Sequence, residues 1–198
     1  MQFKIFEPDI EVFGQTVNSI ITGLGYFTNL SRRYFSRVNI GTLVNKKLQI
    51  DLNGWYPQEA WLEAFKHIAE TVGDRVLYNI GLKVPENAQF PPWVVDIDTA
   101  IKAIDIAYHL NHRKNGRPLF DMNTGKMFEG IGHYGYDRDP YGKNLIRSVS
   151  RNPYPCAFDK GIITAMAHKF QPNAKVTHDD SRECRSNGAE SCTYIITW

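Results

Sequence analysis

The chain is poor in cysteine: only Cys156, Cys184 and Cys192 occur among its 198 residues. That is too few for a disulfide-stapled scaffold, and an odd number cannot all pair. No apolar run approaches the length of a membrane span, and the opening "MQFKIFEPDIEVFG" is broken by acids and Pro8, so no signal peptide is expected there. Neither sign of charge is in excess. The net charge of +2 gives no electrostatic case for nucleic acid or an anionic membrane. The local basic patch "SRRYFSR", with Arg32, Arg33 and Arg37, reads as a solvated face. A Gly-rich dinucleotide fingerprint, a nucleophile elbow and a c-type haem attachment motif are all missing. "GLGYF" and "GIGHYG" hold glycines without the strand–turn–helix setting such motifs need, and Asp137, Asp139, Asp179 and Asp180 fall in turn-like or exposed segments. An enzyme is therefore the minority reading. The expected setting is the cytoplasm, where thiols stay reduced.

What is present is an ordinary globular mixture, 42% hydrophobic and 22% charged, long enough to bury a real core. Residues 9–24 carry an approximate helical stripe, and "TLVNKKLQIDL" reads as a strand or hairpin. In "GWYPQEAWLEAFKHIAETVG", Pro57 suits a first helical turn, Trp61, Phe65, Ile68 and Val72 share one face, and Gly73 supplies a stop. "DRVLYNIGLK" predicts a shorter helix ended before Pro85. A third helix follows, with Ile97, Ile101, Ile104 and Tyr108 on one side. The period then changes. "FEGIGHYGYDRD" alternates, "DPYG" forms a turn, "KNLIRSVSRN" continues the sheet, "CAFDKGIITAMAHKF" is helical, and "AKVTHDDSREC" and "CTYIITW" close it. The fold class is α/β in the α+β sense: helices first, then an antiparallel sheet crossed by one helix. Residues 1–50 form an N-terminal extension packed on a domain of residues 50–198, together one compact unit.

The last hairpin, taken as symmetric about Gly188, sets Cys184 opposite Cys192, Arg182 opposite Tyr194 and Asp180 opposite Ile196. Directly opposed β-carbons stand roughly 4.5–5.5 Å apart, and two thiolates at that separation can share a tetrahedral zinc. Cys156 heads the preceding helix, where a thiol loses its proton more readily, and supplies a third sulfur. For the fourth position Glu183, Asp180 and His178 are the candidates. Glu183 alternates to the far face, while Asp180 and His178 share the face of Cys184 but lie one or more strand steps of roughly 6.6–6.8 Å away. Zinc and three plain buried thiols both stay open on spacing alone.

Together, "NPYPCAFDKGIITAM" and "ECRSNGAESCTYIITW" resemble the end of the 4-vinyl reductase domain family, and "GWYPQEAWLEAFKHIAETVGDRVLYNIGLKVPENAQFP" with "AYHLNHR" resembles its body. The likeness covers residues 50–198. It implies a fold shared with haem-based nitric oxide sensors and with subunits of the Golgi transport tethering complex. In bacterial regulators of aromatic catabolism such a domain accompanies a buried phenol-binding pocket and carries a structural zinc held by three cysteines and a glutamate. Cys156, Cys184 and Cys192 match the cysteines, whereas the glutamate position holds Ser181. A histidine and an aromatic bind the ligand in those relatives, and His109 with Tyr134 or Tyr136 match best.

The candidate ligand-binding residues are accordingly Tyr108, His109, His112, His133, Tyr134 and Tyr136. An apolar pocket with a few polar groups orients a guest, and a histidine accepts a phenolic hydrogen bond. The favoured reading is a non-catalytic sensor of a small aromatic or other hydrophobic ligand, its C-terminal hairpin binding zinc. The alternatives are a haem or tetrapyrrole sensor, with His67, His109, His112 or His168 as axial ligand, a vinyl-reductase-like protein of tetrapyrrole metabolism, and a dimeric scaffold that pairs through an exposed sheet edge ending at Trp198.

Overall fold

A computed structural model of the protein describes residues 2–87 and 90–198. In chain order the elements are β1 (Ile10–Phe13), α1 (Gly14–Gly23), α2 (Thr28–Phe35), β2 (Thr42–Val44), β3 (Lys47–Gln49), β4 (Trp55–Pro57), α3 (Gln58–Lys83), α4 (Ile97–Leu110), β5 (His112–Lys114), β6 (Arg117–Pro118), β7 (Phe120–Asp121), β8 (Lys126–Met127), β9 (His133–Tyr134), β10 (Asp137–Arg138), β11 (Leu145–Arg151), α5 (Cys156–His168), β12 (Lys175–His178) and β13 (Cys192–Thr197). The α+β class expected from the sequence holds, with antiparallel sheets throughout. No helix among the described residues is long and apolar enough to cross a membrane.

The N-terminal stripe divides into a strand and a helix. β1 is the second strand of a sheet ordered β4-β1-β5-β6, so the first 50 residues contribute to a sheet completed by residues 55–57 and 112–118. Gly14 makes the switch possible: a β-carbon there would stand 2.1 Å from the Asp51 carbonyl oxygen. Gly73 breaks α3 as its sequence predicts, at φ 74 and ψ 173, and a second, shorter helical segment follows to Lys83. α4 opens on a capping box. Asp96 accepts from the Thr99 N–H at 2.7 Å, and Thr99 Oγ1 accepts from the Asp96 N–H at 3.0 Å. Its inward face is Ile97, Ile101, Ile104 and Tyr108.

α3 and α5 approach at a pair of glycines. A β-carbon on Gly81 would meet the Phe158 carbonyl oxygen at 2.1 Å, and one on Gly161 would meet that of Tyr78 at 2.2 Å. Between these helices, α2 and α4 runs an aromatic seam. Phe35 stacks on Trp61 at 5.2 Å and Trp61 on Phe65 at 5.2 Å. Phe65 meets Phe158 edge-on at 5.4 Å, and the seam continues through Tyr154 and Tyr108 to Tyr134.

Three expectations are corrected. β13 is not an exposed edge: it lies between β11 and β12, and Trp198 is half-buried beneath the Arg138 guanidinium, 4.4 Å from the ring centroid. The closing hairpin is wider than symmetry about Gly188 requires, for Tyr194 faces His178 rather than Arg182, and Ile196 faces Val176 rather than Asp180. Residues 179–191 form a loop instead, in which Ser181 bonds back to Asp179, a 3-10 turn spans Arg185–Asn187, and Gly188 takes φ 91. Thirdly, Gly132 and Gly135 of "GIGHYG" admit the backbone of β11, not a ligand: a β-carbon on Gly132 would lie 1.9 Å from the Arg151 carbonyl oxygen, and one on Gly135 3.0 Å from that of Val149.

Candidate metal centre and buried polar node

Cys156 is the first residue of α5, Cys192 the first of β13, and Cys184 lies in the loop between β12 and β13. The fold brings all three together. Their sulfurs are separated by 3.1 Å (Cys156–Cys192), 3.4 Å (Cys156–Cys184) and 3.5 Å (Cys184–Cys192). A disulfide requires about 2.05 Å, so these are free thiols. Sulfurs bound to one tetrahedral zinc at about 2.3 Å each stand about 3.8 Å apart, close to the spacing here.

A ring nitrogen of His178 completes the group, and all four ligand atoms lie within 4.8 Å of one another. The register explains this: with His178 opposite Tyr194, it sits two strand positions from Cys192 rather than six. Nδ1 of His178 donates to Asp180 Oδ1 at 2.8 Å, which fixes a proton there, while the buried Nε2 turns to Cys192 without closing a full hydrogen bond. A carboxylate behind the histidine is the usual support of a ligating imidazole. Asp180 thus supports the site from outside, its own side chain 92% exposed, and Glu183 lies on the exposed loop. Three sulfurs and one imidazole form a closed structural zinc set. The site borders an open cleft of about 550 Å³ lined in part by Arg75, Lys160 and Asp180.

The surroundings favour thiolate at Cys192. Cys156 Sγ accepts from the Gln2 amide at 2.9 Å, and Cys192 Sγ accepts from the Arg185 backbone N–H at 3.3 Å and its Nε at 3.4 Å. The adjoining Cys156 thiol holds Cys192 well below the ordinary thiol range against the cost of burial, helped by His178 and the Arg185 N–H, and the same pairing pushes Cys156 up. Arg185 is fully buried and bonds Asn152 and Asp159. Asp159 also accepts from the Tyr134 hydroxyl at 2.6 Å and the Asn152 amide at 3.0 Å. Nothing in the sequence pattern singled out Asp159 or Asn152; Arg185 carried one signal, its place beside Cys184.

Of the six ligand candidates, five gather into one cluster and one does not. Tyr136 lies apart, bonding Asp98 at 2.5 Å and raised to about 12 by burial and by that carboxylate. Tyr108 donates to the Ile131 carbonyl at 2.7 Å, and its ring packs edge-on against His109, His112, Tyr134 and Tyr154. His112 is saturated, with Nδ1 2.7 Å from the Tyr108 carbonyl and Nε2 2.9 Å from the Tyr154 hydroxyl; burial pulls it down to about 4. The space expected between "AYHLNH" and the glycine-rich strand is therefore filled by these side chains. Two further residues, missed by sequence reasoning, face the same hydroxyl. The Trp61 indole N–H and the Gln58 amide, both wholly buried, approach the Tyr154 hydroxyl and pull its value back against burial, but neither closes a full hydrogen bond there. Trp61 was read as core and Gln58 had no signal beyond its place after Pro57.

No protein-family model and no curated protein matches this chain. Solved structures do. An H-NOX protein from S. oneidensis in the Fe(II)NO ligation state matches with a TM-score of 0.59 at 16% identity, over 93% of this chain and 97% of that one. An oxygen-binding H-NOX domain related to soluble guanylate cyclases matches with a TM-score of 0.58 at 15% identity, over 93% of each. The chain has the H-NOX fold, which is the fold of haem nitric-oxide sensors implied by the resemblance; the 4-vinyl reductase label itself finds no match.

Proposed function

We propose that this chain is a non-catalytic sensor domain of the H-NOX fold, locked by a structural zinc at Cys156, His178, Cys184 and Cys192, that receives a small hydrogen-bonding ligand at Gln58 and Trp61 beside the Tyr154 hydroxyl, the packed aromatic side chains parting to admit it. The observation that carries the ligand site is a pair of polar groups, the Gln58 amide and the Trp61 N–H, that turn toward the Tyr154 hydroxyl without closing a full hydrogen bond in a fully buried aromatic setting. Leaving a buried polar group unsatisfied costs about 1–3 kcal/mol, a cost that a ligand bearing a hydroxyl or carbonyl relieves. Apolar walls with a few convergent polar groups are what small-molecule sites offer.

The fold likeness ranks haem first among the ligands to test, since the neighbours are H-NOX proteins with Fe(II) ligation states. The residues present do not fit a porphyrin as they are packed. The seam from Phe35 to Tyr134 occupies the centre, and both nitrogens of His112 are engaged. His67 is at the surface on Tyr34, and His168 bonds the Ala174 carbonyl. His109 has a free Nε2, but its ring lies against Tyr108 and His133.

The test is a thermal-shift series on the zinc-loaded protein with phenols, other small hydroxylated aromatics, fatty acids and haemin. A ligand present at 100 times its Kd stabilises by about 2.7 kcal/mol. A shift of several degrees with a phenol class, lost in Gln58→Leu, is expected. A stoichiometric Soret band on adding haemin would replace this reading with the haem sensor.

A further inference from the structure

Two clusters of metal-ligating side chains occur among the described residues, and the second lies away from the thiols, where α4 meets β9. It comprises Asp105 and His109, one turn apart on α4, and His133 on β9, with one ligand atom from each within 4.8 Å of the others. His133 Nδ1 stands 2.9 Å from Asp105 Oδ2, and His109 Nδ1 stands 3.5 Å from Asp105 Oδ1. The two imidazoles lie face to face at 4.9 Å. Glu129 reaches the other side of His133, at 3.0 Å from Nε2.

This cluster is built into the fold. Asp105 is held in place by the Tyr134 backbone N–H, which donates to Oδ1 at 2.8 Å. His109 has no exposed side-chain surface, its Nδ1 is 2.8 Å from the Asp105 carbonyl, and its Nε2 has no partner. A buried imidazole with an idle nitrogen next to a second imidazole and a carboxylate is costly as a packing element and natural as a ligand.

We propose that Asp105, His109 and His133, with the exposed carboxylate of Glu129 beside His133, bind one divalent transition-metal ion, separately from the thiolate site. The charges close: one dication answers the two carboxylates, and both histidines ligate as neutral imidazoles. Two histidines and a carboxylate with open positions suit iron(II) and its neighbours in the first row, whereas three thiolates and a histidine suit zinc. The two sites therefore select different ions.

The test loads the thiolate site with zinc and titrates the whole chain with Co(II), following metal stoichiometry, absorption and amide line broadening. One further equivalent is expected, bound without thiolate-to-cobalt charge transfer and broadening the amides around His109, His133 and Tyr134. His133→Ala is partly exposed and should stay folded; it should weaken this uptake at least tenfold and leave the zinc content unchanged. Glu129→Gln, on the surface, should weaken it less. Uptake of a single equivalent with the thiolate signature alone, or a second equivalent that His133→Ala leaves intact, would overturn the proposal.

Discussion

Arg185 and Asp159 form an ion pair in which neither side chain is exposed. The same guanidinium bonds Cys192 through Nε, and the same carboxylate accepts from Tyr134, whose backbone N–H is bonded to Asp105. A continuous chain of charged and polar contacts therefore runs from the thiolate site on the closing loop, through α5, to the histidine–carboxylate cluster on α4. Burial pushes Asp159 up, and Arg185, Tyr134 and Asn152 pull it back.

Asp159→Ala leaves Arg185 buried without its counter-charge. Breaking such a pair from one side costs about 3–5 kcal/mol, whereas replacing both partners by apolar residues is often neutral or stabilising. Urea unfolding should show that loss for Asp159→Ala, and Asp159→Leu combined with Arg185→Met should recover most of it. Because Arg185 also donates to Cys192, the double variant should nonetheless hold zinc less tightly than the parent.

The proposed zinc site should respond in graded fashion. His178→Ala and Cys184→Ser remove ligands and should lose stoichiometric zinc on dialysis. Asp180→Asn keeps His178 but weakens its support, and should reduce affinity about 10–100-fold. Competition with a colorimetric chelator measures both. Because the site borders an open cleft, chelator should strip the folded parent and lower its melting temperature toward that of Cys184→Ser.

Much of this architecture was readable in the sequence. Apolar spacing placed α4 and α5, Gly73 marked a break, and the three cysteines were correctly read as one group. The choice among His178, Asp180 and Glu183 for the fourth position stayed open, because a hairpin's register follows from its turn. An Asn-Gly pair at 187–188 reads as a tight two-residue turn, but Ser181 bonding Asp179 and the buried guanidinium of Arg185 widen the loop and carry His178 to Cys192. The interior node was invisible for another reason. Gln58, at the start of α3, and Tyr154, just before α5, meet only in the tertiary fold, and no local period encodes that contact.

The pH response should be dominated by His112 on the acid side. Its folded value, about 4, lies below the ordinary 6.5, so between those values the unfolded chain binds the extra proton. The stability it contributes is present above about 6.5 and lost as pH falls toward 4, by about 3 kcal/mol. His133 has the opposite sign: burial lowers it, but Asp105 and Glu129 outweigh burial and raise it, so its contribution is present below 6.5 and lost as pH rises through the folded value. Urea midpoints from pH 4.5 to 8 should therefore rise and then level or turn over, and His112→Phe should flatten the acid limb.

Gly161→Ala tests the helix contact. The added methyl would stand 2.2 Å from the Tyr78 carbonyl oxygen, which is backbone and cannot swing aside. Overpacking of this kind costs about 1–3 kcal/mol. Gly142, at φ 76 with nothing near a built β-carbon, is the control: Gly142→Asn should change stability by only a few tenths of a kcal/mol, since asparagine tolerates the left-handed region.

Gln58→Leu separates a binding node from a packing defect. If the amide exists to meet a ligand, the free protein carries a buried polar group with no partner, and an apolar residue of similar size relieves it. The variant should melt higher than the parent by up to a few degrees in buffer, yet lose the parent's shift with a phenolic ligand. Trp61→Phe should behave alike in binding but melt lower, since it also removes part of the stack between Phe35 and Phe65. A Gln58→Leu protein that is destabilised in buffer would mean that the amide is already satisfied when no ligand is bound, and that the node is structural.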